Sequence, residues 1–257
     1  MEKYCADAFS MKDQVVIITG GASGLGFAMA KCMKAAGAKV IILGSRDEKE
    51  LKSACDEIGG GAAYYRFDIT QTSEIQALVD NIIKEHKKVD VLVNNAGVHC
   101  KKPVEQMTME DFSRVLDVHL FGSYAFCKAV IPHMRSRKSG CILFVSSMSA
   151  LFGLTSVSAY SAAKSAVLGL TRSLASEVSS DNVRVNAIVP GFIDSPMFRK
   201  AVEGDVNRQQ KILGRTPMNS YGNPEDIGWA GVYLCSKAAS FVTGTSLVVD
   251  GGCSIGF

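Results

Sequence analysis

Apolar positions along the chain fall into short unbroken runs that alternate with stretches of helical spacing. The runs lie at 14–19, 39–43, 63–67, 89–93, 141–145, 183–189 and 245–249. Strands that are apolar throughout, rather than at every second position, are buried on both faces. Helices between such strands imply parallel pairing. The right-handed crossover rule then gives a doubly wound sheet that receives ligands at its carboxyl edge. The pattern therefore predicts an α/β fold: one Rossmann-type domain over 1–257, with about seven parallel strands and helices on both faces.

Local signals place several helices. Thr108 and Asp111 form a capping-box pattern that opens a long helix to about Met134. Ser158 stands as the N-cap of a helix to about Val178, and Asn223-Pro224 reads as an N-cap followed by N1. The interval 191–221 breaks the rhythm with Pro196, Gly204, Gly214 and Pro217, so a mobile substrate lid is expected there.

Two segments bring chemistry. Gln14-Val-Val-Ile-Ile-Thr19 runs straight into Gly20-Gly-Ala-Ser23-Gly24-Leu25-Gly26, and helical spacing follows. A strand, a glycine turn and a helix N-terminus together make a cradle for a pyrophosphate. In the second, Tyr160 and Lys164 stand four residues apart, on one face of their helix. An ammonium beside a phenol lowers the phenol's pKa, and such a tyrosine can exchange a proton with an alcohol or a ketone.

Composition narrows the classes. A net charge of +3 and a pI near 8.4, with no long basic block, exclude a nucleic-acid binder. The eight cysteines show neither a CxxC nor a zinc spacing, so they read as reduced thiols of a cytoplasmic protein with no metal site. Residues 141–163 carry no charge, but serines, threonine and glycine interrupt them, and no membrane span is expected. The N-terminal Met1-Glu-Lys-Tyr-Cys-Ala-Asp is too polar for a signal peptide.

Taken together, from about Lys12 to Gly252 the chain resembles the single-domain branch of the short-chain dehydrogenase/reductase family. Thr19-Gly-Gly-Ala-Ser-Gly-Leu-Gly26 is similar to its cofactor turn, and Asn94-Asn95-Ala96-Gly97 to its NNAG segment. Ser147, thirteen residues before Tyr160, matches its catalytic serine. The resemblance implies a nicotinamide cofactor held by Gly20, Ser23, Gly24, Leu25, Gly26, Asp68, Ile69, Asn95, Ala96 and Gly97. It adds Tyr160, Lys164, Pro190, Gly191, Ile193 and Ser195 to that set. It also implies catalysis by Ser147, Tyr160 and Lys164.

Two departures stand out. Where the family commonly has an asparagine that orders a water-linked proton path, this chain has His119. His119 either joins the catalytic set, supplying equivalent hydrogen bonds and itself titrating near neutral pH, or is a buried, neutral, satisfied histidine with no proton role. At the end of the second strand, the position of the NAD-selective aspartate is Gly44, followed by Ser45 and Arg46, which could donate to a 2′-phosphate. NADP(H) is favoured, with NAD(H) the alternative.

Basic residues near the carboxyl edge (Lys101, Lys102, Arg199, Lys200, Arg208, Lys211, Arg215) suit a small-molecule substrate that is anionic or polyhydroxylated. The tail from Leu213-Gly-Arg-Thr-Pro217 through Asn223-Pro-Glu-Asp-Ile227 to Val249-Asp-Gly-Gly252 resembles the sugar-acid and polyol branch, similar to gluconate 5-dehydrogenases. A 3-ketoacyl-type reductase and a non-catalytic dinucleotide sensor are the competing readings. A homotetramer is expected, because the helices at 108–134 and 158–178 carry apolar residues beyond one face. The terminal Phe257 is expected near a neighbouring subunit.

Overall fold

The computed structural model describes residues 2–44 and 47–256, so Ser45, Arg46 and Phe257 lie outside the described residues. The strands are β1 (Val15–Thr19), β2 (Lys39–Gly44), β3 (Ala63–Arg66), β4 (Val91–Asn94), β5 (Gly140–Val145), β6 (Val183–Pro190) and β7 (Ser246–Val249). The helices are α1 (Glu2–Phe9), α2 (Gly24–Ala35), α3 (Glu48–Ile58), α4 (Ile75–His86), α5 (Met109–Leu116), α6 (Ser123–Ser136), α7 (Ser158–Val178), α8 (Pro196–Val202), α9 (Val206–Arg215) and α10 (Pro224–Cys235).

All seven strands form one parallel sheet in the order β3-β2-β1-β4-β5-β6-β7. The order reverses between β1 and β4, where Ile17 is in register with Ile41 on one side and Leu92 on the other. A crevice opens outside the carboxyl ends of the strands at such a switch point. Successive residues of β1 face opposite layers. Ile17 packs with Leu92, Ile142, Phe126 and Val167 towards α4, α6 and α7. Val16 and Ile18 pack with Met29, Met33 and Ile227 towards α2, α3 and α10. Each aliphatic side chain removed from water in these layers is worth about 1.5–3 kcal/mol, so the strands are mostly aliphatic and their buried polar residues, such as Thr19 and Asn186, are hydrogen-bonded.

Three local features differ from the sequence reading. Val157, not Ser158, is the N-cap of α7, and it offers no side-chain cap. The long helix opens with the expected Thr108–Asp111 box, but a π-helical turn, Asp117–Gly122, separates α5 from α6. The interval 191–221 is largely helical, built from α8 and α9, whose N-caps Ser195 and Asp205 accept from Phe198 N and Arg208 N. Met109–Ser136, the one helix among the described residues long and apolar enough to cross a membrane, is half buried and packs against α4, α7 and the sheet as a layer helix.

Candidate active site

The crevice is laced together at the ends of β1 and β4. Thr19, fully buried, donates its hydroxyl to Val93 O (3.3 Å) and accepts from the backbone N–H groups of Asn95 and Ala96 (3.0 Å each). Asn95 returns its amide N–H groups to Thr19 O (3.0 Å) and Gly20 O (3.1 Å). This knot leaves no room beneath the glycine turn. A Cβ on Gly20 would lie 2.9 Å from Ala96 Cα, and one on Gly26 would overlap Gly20 O and the Asn95 amide. Gly24 is the opposite case: it adopts φ +57° and faces open space. A turn packed tightly from below and open above fits a dinucleotide pyrophosphate. The first turn of α2, which starts there, carries no acidic side chain to repel one.

Other sequence-predicted cofactor positions surround the same edge. Asp68, two residues past β3, is exposed and accepts from Thr70 N and Thr70 Oγ1 (3.0 and 2.9 Å). Ile69 is buried against Gly122. Pro190 ends β6, and Gly191 N donates to Val249 O (2.9 Å). Ile193 is buried and bridges to Gly222, and Ser195 is committed to capping α8. Gly44 ends β2 with no carboxylate, and Asp47 caps α3 through Lys49 N.

The proton-handling groups sit between β5 and α7. Ser146 donates its hydroxyl to Lys164 O (2.9 Å), and Lys164 Nζ donates to Val145 O (2.6 Å). These two bonds stitch the end of the strand to the helix and set Ser147 beside Tyr160, where the serine hydroxyl is positioned to donate to the phenol. Ser147 also accepts from Ser149 N (3.2 Å). Lys164 Nζ lies 5.6 Å from the centroid of the Tyr160 ring. Burial dominates both titrations: it pushes the Tyr160 phenol up from its ordinary value, against the opposing serine bond, and brings the Lys164 ammonium down to about 7. The lysine-lowered phenol expected from the i, i+4 spacing is not found, because burial outweighs it and the lysine spends its bond on a strand carbonyl. The pocket instead holds a protonated tyrosine beside a lysine that titrates near neutrality.

His119 comes from the π-helical turn and is 4% exposed. Its Nε2 lies 2.9 Å from Val98 O and 3.1 Å from Val98 N, while Nδ1 is buried without a partner. Burial, followed by the charge of Lys164, lowers its pKa to about 3, so the ring is neutral and does not titrate near neutral pH as the sequence reading allowed. Gly97 is required beside it, because a Cβ there would overlap the imidazole.

Sequence reasoning passed over two residues here. Thr19 appeared only as the first letter of a motif, although a buried hydroxyl at a strand's carboxyl end is a usable signal. His99, exposed on the loop after β4, has its ring centroid 6.5 Å from that of Tyr160. No motif pointed to it. Several basic residues prove to be structurally engaged: Lys102 pairs with Asp111, and Arg199 is held by both oxygens of Asp194 (2.6 and 2.8 Å). The Arg215 guanidinium lies 4.2 Å over the Phe152 ring. Among the described residues no cluster of side chains could hold a metal, and the free cysteines at 32, 55, 100, 127, 141, 235 and 253 are all buried.

A dinucleotide turn, a serine, a tyrosine and a lysine at one edge of a parallel sheet define an oxidoreductase of the Rossmann type. Comparison with known proteins gives the family. Residues 20–254 match the family described as enoyl-(acyl carrier protein) reductase, and the chain belongs to the short-chain dehydrogenase/reductase family. It is 35% identical over 249 residues to 2-dehydro-3-deoxy-D-gluconate 5-dehydrogenase of Formosa agariphila, covering 96% of this chain and 94% of that one. It is 35% identical over 243 residues to the 3-oxoacyl-[acyl-carrier-protein] reductase of Chlamydia muridarum, covering 93% and 97%. The crystal structure of a gluconate 5-dehydrogenase from Burkholderia cenocepacia in complex with NADP and tartrate superimposes with a TM-score of 0.93, at 26% identity, covering 98% of this chain and 100% of that one.

Proposed function

We propose that this protein is an NADP(H)-preferring dehydrogenase that interconverts a secondary alcohol and a ketone on a sugar acid or polyol. The observation that carries this reading is the meeting of Ser147, Tyr160 and Lys164 beside the glycine turn. A bound nicotinamide would supply the hydride acceptor or donor. The chain's part is to hold the cofactor and move one proton.

Gly20, Gly24 and Gly26, with the N-terminus of α2, would seat the pyrophosphate. Pro190, Gly191, Ile193 and Ser195 would border the nicotinamide, and Asp68 and Ile69 the adenine. Ser147 donates to the substrate oxygen as charge grows on it. Tyr160 gives that oxygen its proton in reduction and takes it back in oxidation. Lys164, close to half protonated at neutral pH, favours the tyrosinate whenever it is charged. His119, neutral, positions Val98 and leaves Nδ1 to order a water behind the lysine. In this reading 191–221, folded as α8 and α9, is the substrate lid.

The absence of a carboxylate at Gly44 supports NADP(H), as does the NADP in the Burkholderia relative. Sugar acids are supported by the gluconate-acting relatives and by the tartrate, a hydroxy acid, in that complex. The acyl-carrier relative keeps a ketoacyl reductase as the second reading. Nicotinamide absorbance on gluconate, 2-dehydro-3-deoxy-D-gluconate, neutral polyols and a 3-ketoacyl thioester separates the two. Turnover confined to the thioester would overturn the first reading.

A further inference from the structure

The loop after β4 is fastened on both sides of two basic residues. At its start, His119 Nε2 lies within hydrogen-bond distance of both Val98 O and Val98 N and bonds one or the other according to its tautomer. At its end, Lys102 N donates to Ser156 O (2.9 Å), and the Lys102 ammonium pairs with Asp111. Between the anchors, His99 and Lys101 are exposed, and Lys101 has no ion-pair partner among the described residues. His99 stands 6.5 Å from Tyr160, ring centroid to ring centroid, which places the loop beside the tyrosine. Burial, followed by the charges of Lys101 and Arg208, holds the His99 imidazole below its ordinary pKa. Of the other basic residues noted in the sequence, Lys102, Arg199 and Arg215 are among those engaged elsewhere.

We propose that His99 and Lys101 form a subsite that receives a carboxylate on the substrate while Tyr160 addresses the carbinol or ketone. This assignment deepens the proposed sugar-acid reading and rests on it. A loop pinned at both ends costs little further ordering when it binds an anion. Lys101 supplies a charged donor and His99 a neutral one, and the positive charge of Lys101 draws a negative substrate towards the mouth.

The test compares the wild-type protein with Lys101→Met, His99→Leu and the conservative Lys101→Arg, all saturated with NADP⁺. One arm measures kcat and KM for gluconate and for its uncharged amide. The other measures tartrate binding by calorimetry. Loss of one charge-assisted bond should raise KM for gluconate and Kd for tartrate roughly 10-fold or more in Lys101→Met. His99→Leu should follow in the same direction, and Lys101→Arg should restore most of the loss. The amide should respond far less than the acid. Equal effects on acid and amide, or tartrate binding unchanged by Lys101→Met, would overturn the subsite even if gluconate is turned over. If no sugar acid reacts but tartrate binds in a Lys101-dependent way, the subsite stands and the proposed reaction fails. If wild type neither reacts with sugar acids nor binds tartrate, both fail.

Discussion

The imidazole of His119 stands edge-on to the ring of Tyr160, with centroids 5.3 Å apart and planes at 85°. A histidine charged at neutral pH would be repelled by Lys164 in the same pocket, and burial with that charge keeps the ring neutral down to about pH 3. The expected consequence is a pH-dependent stability with a definite sign. Between pH 3 and 6.5 the unfolded chain binds a proton that the native state refuses, so native stability falls as pH drops through that window and is complete above it. At 1.36 kcal/mol per unit, wild type should lose ~2 kcal/mol relative to His119→Asn between pH 6.5 and 5. Urea denaturation at the two pH values checks it, and equal losses in both proteins would refute it.

Tyr160→Phe removes one hydroxyl and leaves the packing of α7 unaltered. Turnover should drop by ~10²–10⁴, the worth of positioned proton transfer, while cofactor binding, followed by fluorescence, stays within about twofold of wild type. Wild-type activity in the variant would remove Tyr160 from the chemistry.

Gly26→Ala tests the packed underside of the cofactor turn. The new Cβ would strike Gly20 O and the Asn95 amide, both held by the Thr19 knot. Overpacking of this kind costs ~1–3 kcal/mol, and the displaced turn should bind dinucleotide more weakly. Gly24→Ala meets no neighbour and should spare the packing, but it forces φ +57° on an L-residue. A lower midpoint for Gly26→Ala than for Gly24→Ala separates collision from backbone strain.

Cofactor choice is checked by kcat/KM with NADP(H) and NAD(H). Wild type should prefer NADP(H), and Gly44→Asp should move the ratio towards NAD(H) by ~10-fold or more, since a carboxylate there repels the 2′-phosphate and accepts from ribose hydroxyls. The new Cβ would meet Leu51 Cδ2 at 3.1 Å, so Leu51 must shift slightly. Native preference for NAD(H) would refute the assignment.

Light scattering should return a homotetramer of the 27.5 kDa chain. Phe121, Tyr124 and Met109 are exposed on the Met109–Ser136 helix, whereas Val115 and Phe126 are in the core. On α7, Val167 and Leu174 are also core residues, so its outer face contributes less apolar surface than its sequence suggested. A monomer at micromolar concentration would refute the assembly.

What the sequence made legible was local. Unbroken apolar runs located each strand to within a residue or two, and the Thr108–Asp111 box and the Asn223-Pro224 pair marked true helix starts. The π-helical turn was not legible, because one extra residue in a helical ladder leaves no compositional mark. The helices inside 191–221 were hidden behind glycines and prolines. Yet Ser195-Pro196 repeats the cap-then-proline pattern read correctly at Asn223-Pro224, and would have disclosed α8. The pairing of charges was illegible for a different reason. Whether Lys102 faces Asp111 or solvent depends on two segments meeting in space, and no periodicity encodes that.

The strand order also has a temporal consequence. Strands β3-β2-β1-β4 are contiguous in the sheet and are complete once Asn94 has been synthesised. The Thr19 knot needs nothing beyond Ala96. Ser147, Tyr160 and Lys164 all emerge later, from the half that adds β5, β6 and β7 in chain order along the free side of β4. A growing chain can therefore assemble the half of the sheet that carries the glycine turn before Ser147, Tyr160 and Lys164 have been added.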